Sequence, residues 1–231
     1  MYKVKRFKGP SSRGFTLVEI LISILIFGII VTTVFGSYRS VLSGSQTINK
    51  GMKYYAMAER CLNRIIEDLR SIHVSFPPEF KIPELNDEPD DYRVIGTNND
   101  IGNIAIGKLR FTSFAHLTHE RNLRKGIAEI IYYAELDKDR HLVLKRSDRL
   151  YPYTSLKEKQ NDPLLCENLK QLTFTYYDSE GRKFATWDSD SEIFQYETPT
   201  MIVVKIDIGD DTESFAFETA VPLPVHRSSS S

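Results

Sequence analysis

The residues whose placement asks most for a chemical explanation lie in one string, Arg13-Gly14-Phe15-Thr16-Leu17-Val18-Glu19. Glu19 stands at the head of an apolar stretch with no charged residue from Ile20 to Tyr38. A carboxylate at bilayer depth costs about 2.5–3.5 kcal/mol and generally needs a partner. Glu19 is therefore either a side chain snorkelling to an interface or half of an interaction with another chain. Gly14 precedes the apolar stretch. An ordinary export signal is cut after its apolar region, at small residues, and nothing of the Ala-x-Ala kind closes this one cleanly.

Other residues that could do chemistry are more scattered. Asp188, Asp190 and Glu192 alternate as the first oxygen ligands of a calcium loop do. That loop needs glycine at its sixth position and glutamate at its twelfth, and here those places hold Ile193 and Pro199. The three are weak calcium candidates, with a solvated loop as the competing reading. Among the histidines, His73, His116, His119, His141 and His226, only His116 and His119 are close, and no further zinc ligand stands near them. There is no Gly-x-Ser-x-Gly, no phosphate-binding glycine loop and no nucleophile–base–acid set, so no catalytic residue and no cofactor is nominated. Arg110, Arg121, Arg124 and Lys125 form a basic cluster that reads as a solvated face rather than a nucleic-acid interface. Cys61 and Cys166 are too few for a metal cluster or a disulfide framework. They either pair in an oxidising compartment or are two small buried apolar residues.

These residues are carried by two kinds of sequence. Within 231 residues the net charge is −1, yet residues 1–14 hold five of the 30 Lys and Arg and no acid, leaving 25 basic against 31 acidic residues beyond them. A basic leader before an apolar run is a targeting and orientation signal; it places the leader in the cytoplasm and the mildly acidic remainder outside. The apolar run is long enough to span hydrocarbon as a helix. No proline occurs between Pro10 and Pro77, and Ile48, Met52, Tyr55, Leu62, Ile65, Ile66, Leu69 and Ile72 continue at helical spacing. One helix from about Phe15 to Ile72 is expected, apolar all round at first and one-sided later. His73–Lys108, broken by Pro77, Pro78, Pro83 and Pro89 and crowded with acids, reads as a long surface connection with a short strand near Tyr92–Ile95. Then come strands: Leu109–Phe114, a hairpin of Ile127–Leu136 with His141–Arg146, a second of Leu169–Tyr177 with Arg182–Trp187 across Asp178–Gly181, and a third of Thr200–Ile208 with Glu213–Val221. A long helix followed by antiparallel hairpins is an α+β arrangement, with the sheet wrapped on the one-sided part of the helix.

The string around Gly14 resembles the leader of type IV pilins and type II secretion pseudopilins: Gly, then Phe or Met, then Thr-Leu-(Leu/Val)-Glu. That resemblance implies a pilin-like fold and a division into a leader peptide (1–14), a transmembrane and filament-core helix (15–38), its amphipathic continuation (39–72), a periplasmic β-rich domain (73–226) and a disordered tail (227–231). It implies cleavage between Gly14 and Phe15 by a prepilin peptidase, N-methylation of Phe15, and pairing of Glu19 with the N-terminal amine of a neighbouring subunit. A glycine before the scissile bond leaves the backbone unobstructed. Cleavage there removes the charge and keeps the anchor.

The rest of the chain resembles the minor pseudopilin J family, through Asp68-Leu69 near the helix end, Ile130-Ile131-Tyr132-Tyr133 with Leu142-Val143-Leu144-Lys145-Arg146, the segment Leu169–Tyr177, Trp187, Pro199 and Ile202–Ile208. It departs in the longer, more acidic tract between Ile72 and Leu109. The resemblance implies a non-enzymatic subunit at the tip of a periplasmic pseudopilus, single-pass in the inner membrane before extraction. Its implied partners are I-like and K-like minor pseudopilins and the major pseudopilin, without nucleic acid. A minor pilin of a type IV pilus or DNA-uptake filament is the nearest alternative. An anchored periplasmic enzyme would need a polar constellation that the sequence does not display, and a ligand-binding sensor domain on a signal anchor would not depend on a prepilin peptidase.

Overall fold

The computed structural model describes residues 14–84, 87–101, 104–117, 125–152 and 162–228, with backbone alone for 40–50 and 100–101. The chain divides into two compact units, Met1–Lys50 and Gly51–Ser231.

The first unit is helical from Leu17, and the helix, α1, is assigned over Leu17–Arg70. In this unit the described side chains, Phe15 to Arg39, are all exposed.

In the second unit, β1 (Ile72–His73), β2 (Ile95–Ile101), β3 (Ile104–Ser113), β4 (Ala128–Leu136), β5 (Leu142–Leu150), β6 (Leu164–Cys166), β7 (Leu169–Tyr177), β8 (Lys183–Phe184), β9 (Trp187–Asp188), β10 (Met201–Gly209) and β11 (Ser214–Pro222) form one sheet. Its order is β11-β10-β7-β3-β4-β5-β6, and the pairs along it are antiparallel except β3 with β7. β3 is the pivot. Ile106 meets Leu172 of β7, while Leu109–Ser113 pair with β4 and Ile104–Arg110 with β2. Two strands succeed one another along β3, so the sheet curls instead of lying flat. An apolar N-terminal helix followed by a β-rich domain is compatible with a pilin-like fold, with more strand than a simple pilin.

Period-two burial explains the curl's inner face. Ile202, Val204, Ile206 and Ile208 of β10, Leu172, Phe174 and Tyr176 of β7, and Ile130 and Tyr132 of β4 point one way and are buried. From α1 they receive Tyr54, Ala58, Cys61, Ile65 and Leu69. The expected stripe was centred elsewhere: Met52 and Tyr55 are 65% and 62% exposed, and Leu62 and Ile66 only partly buried. Ala58 and Cys61 take the inward positions because small side chains let the helix approach the sheet closely. Cys61 is bonded to Cys166 of β6, with the Cα atoms 6.3 Å apart.

The first and third hairpins are found, closing at Leu136–Leu142 and Gly209–Ser214. The second is curtailed. Gly181 does take a positive φ of 77°, but β8 holds β7 for two residue pairs only, and Trp187–Asp188 then cross to β2. The tract expected as a connection also needs correction. It contains β2, whose Gly-Thr-Asn-Asn-Asp interior has no apolar alternation. β2 is held by register with β3 and by Asn98, which donates to the carbonyls of Phe174 at 3.1 Å and Ala185 at 2.7 Å. Gly96 is required there by close approach, because a Cβ would lie 1.8 Å from the buried Tyr176 hydroxyl.

Candidate functional site

The helix start is built by Thr16. Its carbonyl accepts from the Glu19 and Ile20 N–H groups at 3.1 and 3.3 Å, and its hydroxyl accepts from the Glu19 N–H at 3.3 Å. Thr16 is therefore the N-cap and Glu19 the third helical residue, the spacing of a capping box. A carboxylate in the first turn complements the positive end of the helix dipole, so Glu19 has a local electrostatic role as well as any intermolecular one. The Gly14–Phe15 bond lies outside the helix, immediately before this cap. Phe15 is 80% exposed, and among the described residues nothing lies within 4 Å of a Cβ on Gly14.

Further along, hydroxyls are returned to the helix itself. Ser23 donates to the Glu19 carbonyl at 2.8 Å, Thr33 to that of Ile30 at 2.8 Å, and Thr32 to that of Gly28. Such bonds satisfy polar groups that hydrocarbon would leave without partners. Leu17–Arg39 is long and apolar enough to cross a membrane, and it fits a single-pass anchor.

The alternating carboxylates do not converge. Asp190 accepts from the Asp90 N–H at 2.8 Å, Asp188 accepts from the Asp190 N–H at 3.0 Å, and Glu192 opens a 3-10 turn, Glu192–Phe194. Among the described residues no three His, Cys, Asp or Glu side chains are grouped to hold a metal. Burial pushes the Asp190 carboxyl up. His116 contacts Asp148, Nδ1 to Oδ1 at 2.6 Å, while His119 lies outside the described residues. Arg121 and Arg124 of the basic cluster lie outside them too, and Arg110 is engaged with Glu129 at 2.6 Å.

The structure gathers two charged clusters that sequence reasoning did not identify. At the end of α1, Asp68 is fully buried against fully buried Arg146, Nε to Oδ2 at 2.6 Å and Nη2 to Oδ1 at 3.1 Å. Arg64 and the Tyr132 hydroxyl also donate to Asp68, and Arg146 reaches Asp148 at 2.6 Å. Burial alone would lower the Arg146 guanidinium, but its bonds to Asp68 and Asp148 outweigh that and raise it. Burial, then the Asp68 charge, push the Tyr132 phenol well up. The available signal was a charge inside each apolar pattern: Asp68 between Ile65 and Leu69, and Arg146 on the face of Leu142 and Leu144.

The second cluster corrects the tail. Arg227, expected in a disordered end, is 3% exposed. It donates to the carbonyls of Tyr196, Ser75 and Ser189 and to Asp90 at 3.2 Å, and it stacks on the Phe80 ring at 3.3 Å. Burial lowers its guanidinium, and Asp90 only partly offsets this. The acidic tract is thus anchored to the C-terminal segment.

Residues 10–35 match the family described as the prokaryotic N-terminal methylation motif. No curated protein matches the chain. The matched span brackets the Gly14–Phe15 bond, the Thr16 cap, Glu19 and most of the apolar run, so the chain carries a type IV pilin-like prepilin signal at the start of its helix.

Proposed function

We propose that this chain is a minor pseudopilin of a type II secretion system, a structural subunit at the tip of a periplasmic pseudopilus rather than an enzyme. The observation that carries the reading is the coincidence of the methylation motif with an exposed Gly14–Phe15 bond directly before a capped apolar helix. A prepilin peptidase would cut there at the cytoplasmic face, Phe15 would be N-methylated, and Leu17–Arg39 would hold the subunit in the inner membrane until extraction. The Cys61–Cys166 disulfide suits an oxidising periplasm. I-like and K-like minor pseudopilins and the major pseudopilin are the partners this role requires.

Intact-mass analysis of membrane-extracted protein tests the processing: loss of residues 1–14 plus one methyl group is expected, and an N-terminus at Met1 or beyond the apolar run overturns the reading. Co-purification with the other minor pseudopilins tests the secretion role separately. Recovery with pilus subunits instead would assign the chain to a type IV pilus.

A further inference from the structure

The face of β3, β4 and β5 turned away from α1 carries a cavity of about 230 Å³. Tyr132 and Arg146 point inward to Asp68, so Ile131, Tyr133, Ser147 and Arg149 point outward by strand alternation. Ile106 and Ile131 give the cavity apolar walls. An engineered apolar cavity of about 150 Å³ takes up benzene, so this one has room for a substituted ring or a short branched chain.

Two polar features point to a ligand. Ser147 is 2% exposed, and its hydroxyl, buried among the lining residues, has no hydrogen-bond partner among the described residues. Leaving such a group unpaired is costly. Lys108 and Arg149, also lining the cavity, form no ion pair among the described residues, although three carboxylates lie on the same face. Each of those is already engaged: Glu129 with Arg110 at 2.6 Å, Glu135 with Lys145 at 2.5 Å, and Asp162 with the Tyr133 hydroxyl at 2.8 Å. The wall is apolar, the lining charges are two cations, Lys108 and Arg149, against the single carboxylate of Asp162, and the Ser147 hydroxyl is left to bond.

We propose that this cavity binds a small organic carboxylate with an apolar body. The body lies against Ile106 and Ile131, the carboxylate meets Lys108 and Arg149, and the Ser147 hydroxyl supplies a hydrogen bond. The ligand is a free small molecule, and no step of filament assembly is assumed.

The probe is 4-fluorophenylacetate, followed by ¹⁹F NMR with the full chain in lipid nanodiscs; 4-fluorophenethylamine serves as the cationic counterpart of similar shape. Saturable broadening of the carboxylate signal at about millimolar concentration is expected, with little effect on the amine. Lys108→Glu, an exposed substitution that leaves the core untouched, should weaken the carboxylate about tenfold, as should Arg149→Glu; Ser147→Ala should weaken it less. An unchanged melting temperature shows that Lys108→Glu is folded. Equal binding of the amine, equal binding to empty nanodiscs, indifference to Lys108→Glu, or no saturable binding would each overturn the proposal.

Discussion

Asp68 and Arg146, 78 residues apart in sequence, meet as a bidentate ion pair with neither side chain exposed to solvent. The last turns of α1 and the middle of β5 are joined by a charge network that also takes in Arg64, Tyr132 and Asp148. Breaking a buried pair from one side leaves an uncompensated charge, which costs about 3–5 kcal/mol. Asp68→Ala should therefore be strongly destabilising by thermal unfolding, and Asp68→Leu combined with Arg146→Met markedly less so than the sum of the two single changes. Additive costs would show that the pair is not coupled.

Acid should weaken the same corner of the molecule. Burial pushes the Asp148 carboxyl up, but the Leu117 N–H, the His116 ring and Arg146 outweigh it and hold it below its ordinary value of 3.8. Its folded pKa lies below the unfolded one, so its stabilisation is complete above the unfolded value and is lost as pH falls through the folded value. Asp190, raised by burial, acts in the opposite sense, and Asp178, held down by Arg182, in the same sense as Asp148. Asp148→Asn should be less stable than the parent near neutrality, with the gap closing as pH falls below the ordinary carboxylate value of 3.8. A gap independent of pH would remove Asp148 from the acid response.

The Cys61–Cys166 bond spans a sequence separation of 105 residues. Long closed loops gain most from a cross-link in the chain-entropy view, and about 2–4 kcal/mol is typical. Cys61→Ala should lower the melting temperature, and reductant should lower that of the parent while leaving the variant unchanged. Labelling of two free thiols in the native, unreduced protein would contradict the pairing.

Glu19→Leu should leave the β-rich unit folded and impair incorporation into a filament. Glu19 is the third residue of α1, outside the Gly51–Ser231 unit, and its removal eases insertion. Normal melting with reduced co-purification of partner subunits is the expected pair of readings. Normal co-purification would restrict Glu19 to helping start the helix.

What was legible in the sequence follows from where the physics is local. The apolar run, the hairpins closed by Asp137–Arg140 and Gly209–Thr212, and the inward alternation of β10 are each written in neighbouring residues. β2 was not legible, because Thr97–Asn99 bury little and the strand owes its pairing to β3 and to the Asn98 amide. The helix stripe was misplaced because Ala58 and Cys61 carry little hydrophobic signal, although the tight contact needs small residues. The Thr16 cap is written as Thr-x-x-Glu, a spacing that the leader motif also contains and that does not by itself separate the two roles. Arg227 gave no local sign: its partners Ser75, Asp90, Ser189 and Tyr196 are scattered through the chain and meet only in the folded unit.

The two fastenings of α1 to the sheet also have a mechanical meaning. Cys61 and Asp68 sit seven residues apart, about two helical turns, one tied covalently to β6 and the other held by charge to β5. Tension carried along this stretch of helix passes to two adjacent strands at two separate points. An ion pair separates and re-forms where a covalent bond does not open, so the helix end at Asp68 can part from β5 and return while Cys61 keeps it beside β6.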